Sequence, residues 1–142
     1  MAFKLGKEKR GFKTPDGSTL FRRSTGDGSL GQANNDGTID IDPSVDLQSP
    51  EGMGIAVHEA KHQLDMKMGR ADYGDNWVMW DDKIYIRKSV DGVSVIDGPN
   101  GRWPEGHPNH PWEAEAIAVE QATVAALKQE EKKIKKKNNY GP

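Results

Sequence analysis

Glycine and proline interrupt this chain so often that few of its segments are long enough to form a helix. The 16 glycines and 8 prolines of the 142 residues concentrate in the first third and around residues 91–111. Both residue types favour turns and break regular helices. Their distribution predicts a loop-rich α+β fold rather than a helical bundle. The length fits one domain, which we place at residues 1–137.

Two segments carry helix signals. Residues 49–51 (Ser-Pro-Glu) supply an N-cap hydroxyl, a proline for the first turn and an acid beside the positive helix end. The helix that they begin is expected to reach about Met68, with Gly69 as its C-terminal cap. A second helix is predicted to begin near residues 110–111 and to run through residues 126–127 or beyond.

The strand signals are short. Residues 38–42 alternate apolar and polar side chains, the period of a half-buried strand. Residues 11–23 predict two strands around a Pro-Asp-Gly turn, and residues 77–96 predict three strands joined by Asp-Asp and Asp-Gly turns. The expected architecture is a small, mainly antiparallel sheet packed on the first helix, with the second helix closing a cleft. Loops are expected at residues 24–37 and 97–111.

Composition narrows the classes of partner and cofactor. The formal net charge of −2 gives no general reason to expect nucleic-acid binding. The longest apolar runs are only a few residues, and residues 1–10 contain no continuous apolar stretch, so neither a membrane span nor a signal peptide is predicted. The chain has no cysteine, so any metal must be bound by His, Asp or Glu.

The chemistry concentrates in a His-Glu-x-x-His motif within the first predicted helix. His58 and His62 are four residues apart, so their imidazoles project from one helix face with Cβ atoms about 5–6 Å apart. That spacing suits two ligands of one tetrahedral zinc ion. Glu59 lies one step round the helix. It is expected to take a proton from a water on the zinc and to pass it to the leaving amine.

The rest of the helix predicts a core face beside the motif. An apolar stripe recurs every three or four residues, and His58, His62 and Asp65 fall on the adjacent stripe. By chance alone, about one chain in a hundred with this composition would contain such a motif. The helix caps, the apolar stripe and the preceding strand favour a metal site over coincidence. The predicted core stripe consists of Met53, Val57, Ala60, Leu64 and Met68.

These features resemble the zinc metallopeptidases with an HExxH motif, the zincins. In the subgroup with a glutamate ligand, the third ligand comes from a second helix in the pattern Glu-x-x-Ala, often followed by Asp or Asn. Glu113 and Ala116 match this pattern at the start of the second predicted helix. The resemblance therefore implies a Zn²⁺ cofactor bound by His58, His62 and Glu113. Position 117 is isoleucine, so the carboxylate that usually follows is missing there.

Two other carboxylates compete with Glu113 as the third ligand. Glu115 is two residues further and would point to a different helix face. Asp65 shares the face of His62, but a carboxylate so close along one helix is better placed to orient an imidazole. Both alternatives stay open on the sequence.

The resemblance also predicts how substrate binds. Zincins place an edge strand just before the active-site helix, and residues 38–42 fit that position, so a peptide or protein substrate is expected along residues 39–41. Such peptidases often use His or Tyr to stabilise the oxyanion. His107 is the candidate for this catalytic role, and His110 is its alternative. Exposed loop histidines are the plainer interpretation of both. Tyr73 and Tyr85 are weaker candidates.

A further resemblance concerns origin. Residues 1–8, 33–37 and 103–113 resemble short HExxH proteins encoded by tailed bacteriophages of marine hosts. The likeness implies location in a virion or in host cytoplasm, with other phage structural proteins as partners. Two functions follow: a zinc metallopeptidase, or a virion structural protein with a zincin fold and a non-catalytic metal site. The presence of Glu59 favours the peptidase, and the isoleucine at position 117 favours the structural protein.

The C-terminal residues are strongly basic. Residues 130–137 carry five lysines and two glutamates, a composition typical of a solvated helix end. Residues 138–142 are predicted to be a frayed tail.

Overall fold

The computed structural model of the protein describes residues 12–13 and 17–139. Within these residues, two helices and two small sheets form an α+β fold, which confirms the predicted class. The predicted turn at residues 15–17 lies mostly outside the described residues, as do residues 1–10 and the end of the predicted tail.

The first sheet is mixed. It has four strands in the order β1-β2-β4-β3, in which β2 and β4 run parallel and the other neighbours run antiparallel. Its strand β3 lies in a segment predicted to be loop, and β4 is an interior strand rather than the expected edge. In the described part of the chain, β3 forms one edge of this sheet and β1 forms the other. The strands are β1 (Phe12–Lys13), β2 (Thr19–Arg22), β3 (Gly31–Ala33) and β4 (Thr38–Ile41).

The second sheet is an antiparallel meander of five strands in chain order. The predicted Asp-Asp and Asp-Gly turns are confirmed, because Asp81, Asp82 and Asp91 adopt positive φ angles of 48°, 66° and 50°. Strand β9 is an addition, since the sequence predicted a loop there and pairing with β8 makes it a strand. The strands are β5 (Ala71–Tyr73), β6 (Trp77–Trp80), β7 (Lys83–Val90), β8 (Val93–Gly98) and β9 (Gly101–Pro104).

The two helices begin where the sequence predicts. Helix α1 spans Pro50–Lys67, and the Ser49 hydroxyl accepts a hydrogen bond from the Gly52 amide at 3.0 Å. Gly69, with φ of 75°, ends it as expected. Helix α2 spans Pro111–Asn139, so it continues into the predicted tail. The side chains of its basic end, residues 132–137, are exposed to solvent. Neither described helix is long and apolar enough to cross a membrane.

Two apolar clusters form the interior. The first lies between α1 and the first sheet, and the second lies between the second sheet and the start of α2. The interior is thus divided between the two sheets, and a cleft borders the second cluster. Trp80 and Trp112 belong to the second cluster. The buried members are Leu20, Ile39, Ile41, Val45 and Ala56 in the first cluster and Val78, Trp80, Tyr85, Ile96 and Trp112 in the second.

Most of the apolar stripe predicted to face the core does not do so, although Ala60 packs against the first cluster. Met53 and Leu64 are each 39% exposed, and Met68 is 70% exposed. The helix instead buries small and polar positions, among them Gly54 and Gln63. At Gly54 the absent side chain lets α2 approach closely. The amide of Gln63 donates to the carbonyl oxygens of residues 34 and 38, which anchors the β3–β4 hairpin on α1.

Candidate metal centre

The crossing of α1 and α2 brings three predicted ligands to one point. His58 and His62 lie one turn apart on α1, and Glu113 lies in the first turn of α2. The Nε2 atoms of His58 and His62 lie 3.1 and 2.6 Å from Oε1 of Glu113. All three ligand atoms lie within 4.8 Å of one another. The three residues predicted to bind zinc therefore converge in the folded protein.

The donor set fits a zinc ion. With bonds of about 2.0–2.1 Å, tetrahedral zinc separates neighbouring donor atoms by about 3.3 Å. The observed 3.1 and 2.6 Å are slightly shorter, so a small outward movement of Glu113 would open the site to that separation. Two imidazoles and one carboxylate also leave a fourth position for a water or a substrate.

Electrostatics make the ligands interdependent. Burial by itself lowers the pKa of His58, but the hydrogen bond to Glu113 and the charges of Glu59 and Glu113 raise that pKa to about 9. Burial by itself raises the pKa of Glu113, but hydrogen bonds from His58 and His62 lower it to about 2. Metal-free protein therefore holds an ion pair at this point, and a metal ion must displace its proton.

Glu120 is a site residue that the sequence analysis missed. Its Oε1 atom lies 2.8 Å from Nδ1 of His58, the ring nitrogen that faces away from Glu113. Glu120 follows Glu113 by seven residues, which is two helical turns on the same face. It therefore provides on α2 the orienting carboxylate that the isoleucine at position 117 does not provide. The seven-residue spacing of Glu113 and Glu120 is the signal that could have found it.

Glu59 lies beside the three ligands and lines the cleft. The strand β3 passes so close that a Cβ atom on Gly31 would lie 3.0 Å from Cγ and 3.1 Å from Oε2 of Glu59. Burial raises the pKa of Glu59, an effect that the nearby His62 and His58 charges oppose. The carboxylate is thus confined beside the metal ligands, with a basicity shifted towards neutral pH.

The rival carboxylates are engaged elsewhere. Glu115 accepts hydrogen bonds from both terminal nitrogens of Arg70, at 2.7 Å each. Asp65, which is 2% exposed, accepts from Lys61 at 2.7 Å and is not the partner of either imidazole. Among the described residues, the group that could hold a metal contains Glu113 and neither of these acids.

The two loop histidines lie outside the cleft lining. His107 stacks on Trp103 with ring centroids 4.7 Å apart, and its Nδ1 accepts the Asn109 amide. His110 is buried, stacks on Trp112, and lies within hydrogen-bond distance of two carbonyl oxygens of residues 103–104. The expectation of an exposed loop histidine is therefore wrong for His110. The structure does not bring His107 to the three ligands.

The cleft next to the ligands has a volume of about 690 Å³. Strand β3 forms one side, and the second sheet forms the other with Tyr73, Val78 and Ile96. The substrate position expected along β4 is wrong, since Ile39 and Ile41 are 0% exposed in the first cluster. The strand of the first sheet that borders the cleft is β3.

Comparison with known proteins leaves the family of this chain open. No protein-family model, curated protein or solved structure matches it. The likeness to the HExxH peptidases therefore rests on the residues of α1 and α2, and the activity that it implies is a proposal.

Proposed function

We propose that this protein is a zinc-dependent metallopeptidase with a zincin-like active site. One observation carries the proposal: His58, His62 and Glu113 converge at the wall of an open cleft, with Glu59 beside them. A purely structural metal site is closed by protein ligands, whereas a catalytic one keeps a position open to solvent. The cleft supplies that access.

Each residue has a distinct role in this proposal. His58, His62 and Glu113 would hold the zinc ion. When bound, the ion would act as a Lewis acid that lowers the pKa of water to about 7. Glu59 accepts the proton of the attacking water and returns it to the leaving amine, a role that suits its raised pKa. Glu120 holds the Nδ1 side of His58, so that Nε2 stays directed at the site.

The cleft supports an extended peptide as substrate. An exposed strand edge can pair with a peptide backbone through main-chain hydrogen bonds. In the described part of the sheet, β3 is the edge that lines the cleft. The opposite wall includes the half-buried Ala71 and Tyr73, whose apolar atoms would contact side chains of the substrate.

The alternative is a virion structural protein that keeps a zincin-like fold and a non-catalytic metal site. One observation favours it: His107, the predicted oxyanion donor, is not among the described residues that line the cleft. A protein of this kind would bind zinc for stability and assemble with other phage structural proteins.

Metal content and peptide cleavage test the proposal together. Zinc would be measured by mass spectrometry in wild type, in Glu113→Gln and in the matched control Glu115→Gln. Glu115 lies on the same helix as Glu113, but its side chain pairs with Arg70. We expect one zinc per chain in wild type and Glu115→Gln, and loss of zinc in Glu113→Gln. Cleavage of casein and of a peptide library would follow on the same samples. Zinc binding without cleavage would favour the structural protein, and absence of zinc from wild type would refute both.

A further inference from the structure

At alternate residues of β3, the backbone amide and carbonyl groups point away from β4. The Asn34 amide donates to Thr38 at 2.8 Å, and the Asp42 amide donates to Leu30 at 2.9 Å, so even-numbered residues of this segment bond to β4. In an antiparallel pair the residues between them direct their amide and carbonyl groups the other way. The outward groups of β3 therefore belong to Gly31 and Ala33.

One of these outward groups is already bonded across the cleft. The Tyr73 hydroxyl, on β5 of the second sheet, donates to the Ala33 carbonyl oxygen at 3.1 Å. Burial raises the pKa of Tyr73, so the phenol remains a hydrogen-bond donor at neutral pH. This bond links the two cleft walls at the C-terminal end of β3.

Arg87 packs against the Tyr73 ring. The Arg87 guanidinium lies over the ring, 5.7 Å from its centroid. Arg87 also donates to the Gly74 carbonyl and pairs with Glu105 at 2.7 Å. The bonds to Gly74 and Glu105 hold the guanidinium against the ring.

The other end of β3 is open. Gly31 borders Glu59, and in the described part of the chain its carbonyl accepts a weak hydrogen bond from the Ser29 hydroxyl at 3.3 Å. Beyond it the cleft continues past Ser29 and Asp27. A strand added to β3 could therefore pair with the outward backbone groups of Gly31, whereas Tyr73 occupies the Ala33 carbonyl at the other end.

We infer that Tyr73 closes one end of the peptide-binding track along β3, so that bound peptides extend in one direction only from the metal centre. The inference rests on the proposed peptidase function and names its substrate class: peptides cleaved within a few residues of one terminus. Tyr73 is thus a determinant of substrate length.

Two nested peptide series test this inference. One parent peptide is extended residue by residue at its N-terminus, and the same parent is extended at its C-terminus. Binding is measured by fluorescence anisotropy on Glu59→Gln, with and without added zinc, and cleavage is measured on wild type. We expect extension to weaken binding by about tenfold or more in one series and to leave it within about twofold in the other.

Variants of Tyr73 identify the cause of the asymmetry. For each variant we take the ratio of its affinities for a long and a short peptide. A loss of binding that affects both peptides equally cancels in this ratio. We expect Tyr73→Ala to bring the ratio close to one and Tyr73→Phe, which keeps the ring, to restore it in part. Tyr85→Phe is the matched control, because Tyr85 lies in the same sheet and does not line the cleft. It should retain the wild-type ratio.

The outcomes separate this inference from the proposed function. One-sided binding without any cleavage supports the inference and contradicts the peptidase. Cleavage with equal tolerance at both ends supports the peptidase and overturns the inference. An unchanged ratio in Tyr73→Ala, or no peptide binding at all, also overturns it. If Tyr73→Ala does not fold, as judged by thermal melting, the ratio in Tyr73→Phe decides.

Discussion

The Oε1 atom of Glu120 lies 2.8 Å from Nδ1 of His58, while Nε2 of the same imidazole faces Glu113 at 3.1 Å. Both carboxylates come from one face of α2, two turns apart. A ring bonded to a carboxylate at both nitrogens has a fixed plane. His58 is therefore directed at the candidate metal centre by the helix that supplies the proposed third ligand.

Removing the Glu120 carboxylate should weaken metal binding without removing a ligand. We expect Glu120→Ala to reduce zinc affinity by about 10–100-fold, because His58 loses the group that orients it. Competition with a chromophoric chelator measures the change. Gln121→Ala, at the neighbouring exposed position, is the control and should bind zinc like wild type. Equal affinities for the two variants would contradict an orienting role.

Zinc affinity should rise with pH. The pKa of His58 in the metal-free protein is about 9, so at lower pH the metal must displace a proton from this ligand. We expect the apparent affinity to increase about tenfold per pH unit between pH 6 and 8 and to level off above about 9. Calorimetric titrations in buffers with different protonation enthalpies would count the protons released. No proton release at pH 7 would contradict the raised pKa.

The stability of the metal-free protein should fall as the pH rises above about 6.5, whereas zinc affinity should rise. The raised pKa of His58 stabilises the fold fully below about 6.5, and this contribution is lost as the pH rises through about 9. The lowered pKa of Glu113 stabilises the fold above about pH 4.5, and this stabilisation is lost as the pH falls towards about 2. The expected change on the alkaline side is on the order of 3 kcal/mol.

Urea unfolding of chelator-treated protein between pH 2 and 10 measures this dependence. Glu113→Gln removes one of the two carboxylate partners of His58 and should make the curve shallower between pH 6.5 and 9. A wild-type curve as flat as that of the variant in this range would show that the ion pair contributes nothing.

Glu59 should be needed for turnover and not for metal binding. We expect Glu59→Gln to retain stoichiometric zinc and to lose about 10²–10⁴-fold in kcat, the usual contribution of a positioned general base. Zinc analysis and peptide cleavage on one sample give both quantities. Loss of zinc in this variant would instead identify Glu59 as a ligand.

The close crossing of the helices at Gly54 should be necessary for the site. A Cβ atom there would lie 2.6 Å from Cγ2 of Val124, so Gly54→Val should force α1 and α2 apart. We expect a loss of about 1–3 kcal/mol in the free energy of unfolding and weaker zinc binding, because the ligands span both helices. Ala118→Val, at an exposed position of α2, is the control and should change both quantities little. Similar effects in the two variants would contradict the packing argument.

The sequence by itself determined the local elements of this protein. The cap at Ser49 and the end at Gly69 bounded α1, and the turns at residues 81–82 and 91–92 defined strands of the second sheet. These features depend on backbone preferences and on side chains within a few residues of each other. For the same reason the pairing of His58 with His62 on one helix face was predictable from their spacing.

Only the tertiary structure decided how these elements meet. The crossing of α1 and α2 brought Glu113 to the histidines, Arg70 held Glu115 away from them, and Glu120 reached His58 from two turns further on. Pairing with β4 and β8 made strands of segments that were predicted to be loops. The buried face of α1 follows from close helix packing at Gly54 rather than from the most apolar stripe. Each of these results depends on packing between residues distant in the chain, which no local pattern encodes.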